Sequence, residues 1–259
     1  MNRAQHRSIY VNLVFVLFVE ACAHQVALSE QFTVKSTTEF LAQIDSHKVK
    51  WSSYVAEIRI TYFGPEGRVR TTGTIAIKRP ASMRCEMMGP HGGVISAFAT
   101  NGIELQALDV KNSKFIYGPA NVKNLDRLLP FAPLQLNAES WNKLLFGEID
   151  IPETAKLLYQ EKKGVFILRW QENSHDREVE IDPQTKQLKQ AKDFFAGQLI
   201  SQVNFKNYDK NGLPQILQVK VPSAKIEFIA VFRDIEVNFA IEAEAFVLNP
   251  PAGIALEHL

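Results

Sequence analysis

The chain has 259 residues, 46% hydrophobic and 22% charged, an ordinary globular composition that excludes a disordered segment or a coiled coil. That length suffices for one large all-β domain or two small ones. The 29 Lys and Arg residues nearly balance 28 Asp and Glu, and no more than two basic residues are adjacent, so nucleic acid is excluded as an expected partner and apolar or mixed surfaces are favoured.

Residues 1–21 form a separate segment. Arg3 and Arg7 precede an apolar run from Val11 to Val19, too short to span a bilayer comfortably and of the length of a secretory signal core. Val19, Ala21 and Cys22 then resemble the lipobox of bacterial lipoproteins, with an aliphatic residue three before the cysteine and a small one directly before it; Glu20 departs from the pattern. The resemblance implies cleavage before Cys22 and acylation of Cys22, which would anchor the mature chain stably, at about 0.8 kcal/mol per buried methylene. An ordinary cleaved signal or an N-terminal anchor helix is the other reading. Ala23 rather than aspartate follows the cysteine, which by the sorting rule of such lipoproteins implies the outer membrane, facing the periplasm.

Residues 22–35 read as the lipidated N-terminus and a polar tether, and 36–259 as one domain. Ser36 and Glu39 have capping-box spacing, and Phe40, Leu41 and Ile44 follow at helical intervals, which predicts a short amphipathic helix near 37–48. From Tyr54 the period becomes two. Strands are expected at 54–62, 68–78, 82–88, 94–100, 103–109 and 114–117, joined by turns such as Gly64-Pro65-Glu66-Gly67, Gly89-Pro90-His91-Gly92-Gly93 and Asn101-Gly102. Six strands in succession with short turns make an antiparallel meander.

Two short helices interrupt it. Val122, Leu125, Leu128 and Leu129 follow Asn121, and Trp141, Leu144 and Leu145 lie between Asn137 and Gly147, each set with an N-cap and an apolar face. Strand patterns return near 155–161, 164–171, 177–181, 187–194, 198–208, 213–221 and 224–233, and the end, with Asn249-Pro250-Pro251, reads as irregular edge. The elements describe a mainly β single domain, one curved sheet of about a dozen strands with a helical cover.

Gly73-Thr74-Ile75-Ala76-Ile77, Met88-Gly89-Pro90-His91-Gly92-Gly93-Val94, Leu136, Trp141 to Gly147, and Leu213-Pro214 resemble, in order, landmarks of the LolA/LolB family of outer-membrane lipoproteins, over about Trp51 to Arg233. The resemblance implies an unclosed antiparallel β-barrel of about 11–12 strands, lidded by short helices, whose apolar cavity holds acyl chains of lipoproteins or lipids. It also implies delivery from a periplasmic lipoprotein carrier and a role in lipoprotein localisation or insertion. In the family's acceptor the glycine-proline turn carries an exposed leucine that helps insertion into the membrane; the matching position here is His91. Gly89, Pro90, His91 and Gly92 are thus the candidate membrane-approaching loop. Imidazole cannot wedge into a bilayer as leucine does, but it can rest at headgroup level; a plain solvent-exposed turn is the other reading.

Candidate cavity-lining residues on the apolar faces are Ile58, Ile60, Ile75, Ile77, Met83, Met87, Phe98, Leu105, Phe115, Trp141, Phe166 and Trp170. A barrel of this strand count either packs such side chains or encloses a ligand. Cys85 alternates with Met83 and Met87 and reads as a small buried hydrophobe. Ser174-His175-Asp176 reads as a polar hairpin tip, because three consecutive residues cannot converge as a triad. No metal site, cofactor motif or nucleophile elbow stands in the sequence, so no enzyme is expected. Two readings remain: a lipid-binding acceptor or chaperone, and a non-enzymatic envelope scaffold whose barrel is filled and whose face or sheet edge docks other proteins.

Overall fold

The computed structural model describes residues 36–259; the signal, Cys22 and the tether lie outside the described residues. Three helices are capped as the sequence predicts. In α1 (Thr37–His47) the Glu39 N–H donates to Ser36 Oγ at 3.1 Å, in α2 (Val122–Leu128) the Asn124 N–H to Asn121 Oδ1 at 2.9 Å, and in α3 (Ala138–Leu145) the Ser140 N–H to Asn137 Oδ1 at 2.8 Å.

The rest is dominated by one sheet. Its first meander is β1 (Ser53–Gly64), β2 (Gly67–Lys78), β3 (Ser82–Met88), β4 (Val94–Thr100), β5 (Glu104–Asp109) and β6 (Lys114–Pro119). A second meander follows α3: β7 (Lys156–Gln160), β8 (Val165–Glu172), β9 (His175–Ile181), β10 (Leu188–Phe195), β11 (Gln198–Tyr208), β12 (Pro214–Val221) and β13 (Ile226–Val237). β1 pairs antiparallel with β13 and fuses the two meanders. A last strand, β14 (Ala255–His258), lies parallel to β6, so β14 and β7 are the edges and the sheet of 14 strands does not close. The fold is therefore the expected mainly β, unclosed sheet with a few short helices. It has 14 strands where about 11–12 were expected, and the segment expected to be irregular edge ends as β14.

Register explains the core. Tyr54, Ala56 and Ile58 of β1 are buried while Glu57 between them is exposed, and Ile58 stands opposite Phe232 of β13 and Gly73 of β2. We call the face carrying Tyr54 and Ile58 the inner face. The helices pack there. Phe40 of α1 meets Phe166 with ring centres 4.6 Å apart, the Tyr54 hydroxyl donates to the Leu145 carbonyl at 3.2 Å, and the Asn142 amide donates to the carbonyls of Lys78 and Ser82. Gly147 ends α3 at φ +75°, and a Cβ there would press on Pro214 Cδ at 3.1 Å and the Tyr208 ring at 3.2 Å, so two of the sequence landmarks meet in space.

The outer face is covered differently on its two halves. Over the first meander runs the segment 238–254, held by Lys78 Nζ donating to the Ile241 carbonyl, Arg84 Nη1 to the Ala245 carbonyl and the Leu248 N–H to Gln106 Oε1. Over the second meander lies a polar ladder in which Glu178 receives Arg169 and Lys192, and Glu180 receives Lys163 and Lys192. Burial works to raise Glu178, yet Lys192 and Arg169 hold its carboxyl below the usual range.

Candidate functional site

The inner face of the second meander carries a cleft of about 430 Å³, within the range of roughly 300–1,000 Å³ typical of small-molecule sites. Strand register builds its floor. One cross-strand row runs Leu168, Val179, Ala191, Val203, and the next row toward the β8–β9 turn runs Trp170, Arg177, Asp193, Ser201. Trp170, Val179, Ala191 and Val203 line the cleft from the sheet, and Leu134, Leu136, Leu144, Ile149 and Ile151 line it from α3 and its flanking loops. The floor is apolar and the rim is charged.

The rim charges are mostly engaged. Lys143 reaches Glu139 at 2.8 Å and Asp150 at 2.9 Å; burial works to lower its pKa, yet the two carboxylates hold it above the usual lysine range. Glu148 receives both arms of Arg79. Asp193 accepts His175 Nδ1 at 3.0 Å through both oxygens. Arg177 Nη1 stands 3.4 Å from Glu172, while Arg177 Nε is buried without a hydrogen-bond partner.

The residues singled out in the sequence distribute as follows. Trp170 lines this cleft. Ile58, Ile75, Ile77, Met83, Met87, Trp141 and Phe166 are packed in the main core, with Ile60 and Phe98 partly buried against it. Leu105 belongs to a satellite cluster with Leu125 and Ala138. Phe115 does not share that face: it packs with Ala97, Ala99 and Leu248 beneath the outer segment. The sequence reading did not assign to the cavity Leu134, Ile149 and Ile151, which stand in loops without periodicity, or the polar row of Arg177, Asp193 and Ser201.

The GPHGG stretch is a tight turn between β3 and β4. The Gly89 N–H donates to the Gly93 carbonyl at 2.8 Å, the Gly92 N–H to the Gly89 carbonyl at 3.0 Å, and Gly92 has φ +81°. Pro90, His91 and Gly92 are exposed. Apolar side chains stand exposed at the same end of the sheet: Ile95 (44% exposed) lies over Gly89, and Val69 (59%) stands on the part of the β1–β2 hairpin that projects beyond β3.

Asn173 and Ser174, both with positive φ, make the two-residue turn between β8 and β9, so Ser174-His175-Asp176 is a hairpin tip with His175 bonded to Asp193 on the next strand. Cys85 is partly buried against the core, and burial, reinforced by Glu86, pushes its thiol up to about 12, away from the reactive thiolate. Among the described residues no three His, Cys, Asp or Glu side chains gather as a metal site, and no helix is long and apolar enough to cross a membrane.

A scan against protein-family models matches none, and a search of curated proteins finds no match. Solved structures do match. A domain from Vibrio parahaemolyticus named as an outer-membrane lipoprotein-sorting protein superposes with TM-score 0.57 at 12% identity, covering 80% of this chain and 94% of its own. A DUF1329-family protein from Desulfovibrio piger gives 0.58 at 10% identity, covering 82% and 95%, and a LolA-superfamily protein from Nitrosomonas europaea gives 0.53 at 11%, covering 83% and 99%. At these identities the likeness speaks of architecture alone. The unclosed sheet, its helical cover and these superpositions together establish that the chain has a LolA/LolB-like fold.

Proposed function

We propose that this chain is a periplasm-facing lipoprotein of the bacterial outer membrane that takes an acyl chain of a lipid or lipoprotein into the cleft of the second meander, and so acts in lipoprotein localisation or insertion. The observation that carries this reading is the cleft itself: about 430 Å³ over an apolar floor of Trp170, Val179, Ala191 and Val203. Apolar surface of that kind favours a hydrocarbon chain, because each methylene removed from water contributes about 0.8 kcal/mol. The fold it shares with a domain named for lipoprotein sorting supports the same reading.

In this reading Cys22 holds the protein at the membrane, a periplasmic carrier delivers the cargo, and the hairpin tips with His91, Ile95 and Val69 face the bilayer. The chain works by binding, with no reacting group. β1–β6 contribute no residue to the cleft and pack their inner face into the core, which favours a second reading, an interaction lipoprotein whose face or edge docks other envelope proteins.

Native mass spectrometry of the protein released from bacterial membranes separates them. An adduct of lipid mass lost on Leu144→Trp, which fills the cleft, supports the acyl reading. A protein that carries no adduct, or the same adduct after cleft filling, supports the scaffold.

A further inference from the structure

The hairpin between β10 and β11 ends in apolar side chains that the packed clusters leave out. Ala196 and Gly197, both at positive φ, make its two-residue turn, and Phe194, Phe195, Leu199 and Ile200 flank the turn. None of the four belongs to a core cluster or lines the cleft, and Phe195 is 48% exposed, its ring centre 5.1 Å from that of His175. The hairpin also projects. β11 gains its β12 partner at Gln202, opposite Lys220, so residues 198–201 reach beyond that strand.

Polarity changes in rows along the two strands. On the cleft face Phe195 stands opposite His175; two residues inward, about 7 Å, Asp193 stands between Arg177 and Ser201, and two further on Ala191 and Val203 belong to the apolar floor. The charges beside the tip are paired with one another, Asp193 with His175 and Glu172 with Arg177 at 3.4 Å, and no basic cluster stands there to seek an anion. An apolar tip backed by a polar band matches a leaflet, in which hydrocarbon is backed by headgroups. The register from Phe63 opposite Glu227, through Ile226 opposite Val221, to Lys220 opposite Gln202 puts this tip at the same end of the sheet as exposed Val69, Ile95 and Val110. A fluid leaflet receives several separate tips at once, whereas a protein partner needs one continuous complementary face.

We infer that the β10–β11 hairpin inserts into the hydrocarbon margin of a zwitterionic lipid leaflet through Phe194, Phe195, Leu199 and Ile200, and so seats the mouth of the cleft at the headgroups. The inference rests on the lipoprotein reading above for the presence of a membrane, and adds a contact separate from the His91 turn and independent of cargo.

The test takes the full chain with its anchor, released from bacterial membranes and reconstituted in phosphatidylcholine vesicles. In a Cys85→Ala background, a fluorophore is placed by Gln198→Cys at the tip or by Gln184→Cys in the exposed β9–β10 turn at the opposite end. Lipids brominated in their chains should quench the label at 198 and not at 184, and aqueous iodide the reverse; raising the salt should change neither, because apolar insertion is not screened. Adding Phe195→Ser should lower the inserted population roughly tenfold. Phe195→Leu keeps apolar surface and gives up the ring contact with His175, so it should retain the quenching. Iodide quenching at 198, equal bromine quenching at both positions, quenching abolished by salt, or loss in both Phe195 variants would overturn the inference. Iodide quenching at 198 in vesicles, with cross-linking of that position to a protein in native membranes, would overturn it in favour of a protein partner. Native mass spectrometry of the same preparation reads the cargo separately. A lipid adduct on a protein whose tip iodide reaches would sink this inference and spare the acyl reading, whereas an inserted tip on a protein without adduct would uphold the inference and sink the acyl reading.

Discussion

Arg79 and Glu148 form a two-armed ion pair, Nη1 to Oε2 at 2.9 Å and Nη2 to Oε1 at 2.6 Å, that ties the end of β2 to the loop leaving α3. The same guanidinium lies 3.9 Å from the Phe146 ring centre and donates through Nε to the Trp51 carbonyl. Glu148 also lines the cleft. The pair therefore fastens the first meander to the cover of the second, and the shape of the cleft depends on it.

Replacing Glu148 by Gln removes the charge but leaves the stacking on Phe146 intact, so the expected loss is about 1–3 kcal/mol in urea unfolding with an unchanged slope. Arg79→Ala should cost more, because it also removes the contact with the Phe146 ring. The double variant should cost less than the sum of the two. Additive losses would mean that the two residues do not act as a pair.

How legible was this in the sequence? The helix caps at Ser36, Asn121 and Asn137 were, because capping is local chemistry at fixed spacing. So were most strands, whose alternation reports one buried face. β14 was not: it is four residues long, and Leu256 is 61% exposed, so no pattern of burial marks it. Phe115 alternates like its neighbours, but the segment that buries it arrives more than a hundred residues later, and periodicity cannot say which face is covered by what. The polar row of Arg177, Asp193 and Ser201 depends on the register of three strands, including an irregularity between Asp193 and Phe194, which local sequence does not encode.

Cys85 gives a pH dependence with a definite sign. Its thiol titrates near 9.0 in the unfolded chain and at about 12 when folded, so between those values the unfolded state binds fewer protons and stability falls as pH rises. Below about 9 the contribution is fully present. Cys85→Ala should flatten that part of the alkaline decline, and the thiol of the wild type should resist alkylation at neutral pH until the protein is unfolded. Tyr54, also raised by burial, adds to the decline at higher pH and should be left untouched by the variant. Rapid alkylation of folded protein would show that the thiol is open to solvent.

Acylation at Cys22 is expected to govern processing. Cys22→Ala should block maturation as a lipoprotein, and the mature protein should partition into detergent only when Cys22 is present. N-terminal mapping decides it: a mature chain beginning anywhere other than residue 22 contradicts the anchor.

The glycine turn tests which end of the sheet meets the bilayer. If the tips touch membrane, His91→Leu in a chain lacking residues 1–22 should strengthen vesicle binding, because burying a leucine side chain contributes about 1.5–3 kcal/mol, or roughly tenfold to a hundredfold in affinity. His91→Glu should weaken it, since a carboxylate resists desolvation and is repelled by anionic lipids. Ile95→Asp should weaken it further, because Ile95 is the exposed apolar side chain that lies over Gly89. The two His91 substitutions should leave folding within about 0.5 kcal/mol, as expected for an exposed turn residue. Negligible vesicle binding by the parent chain, with no response to His91→Glu or Ile95→Asp, would assign the glycines to turn geometry alone and move the search for a membrane contact away from this end of the sheet.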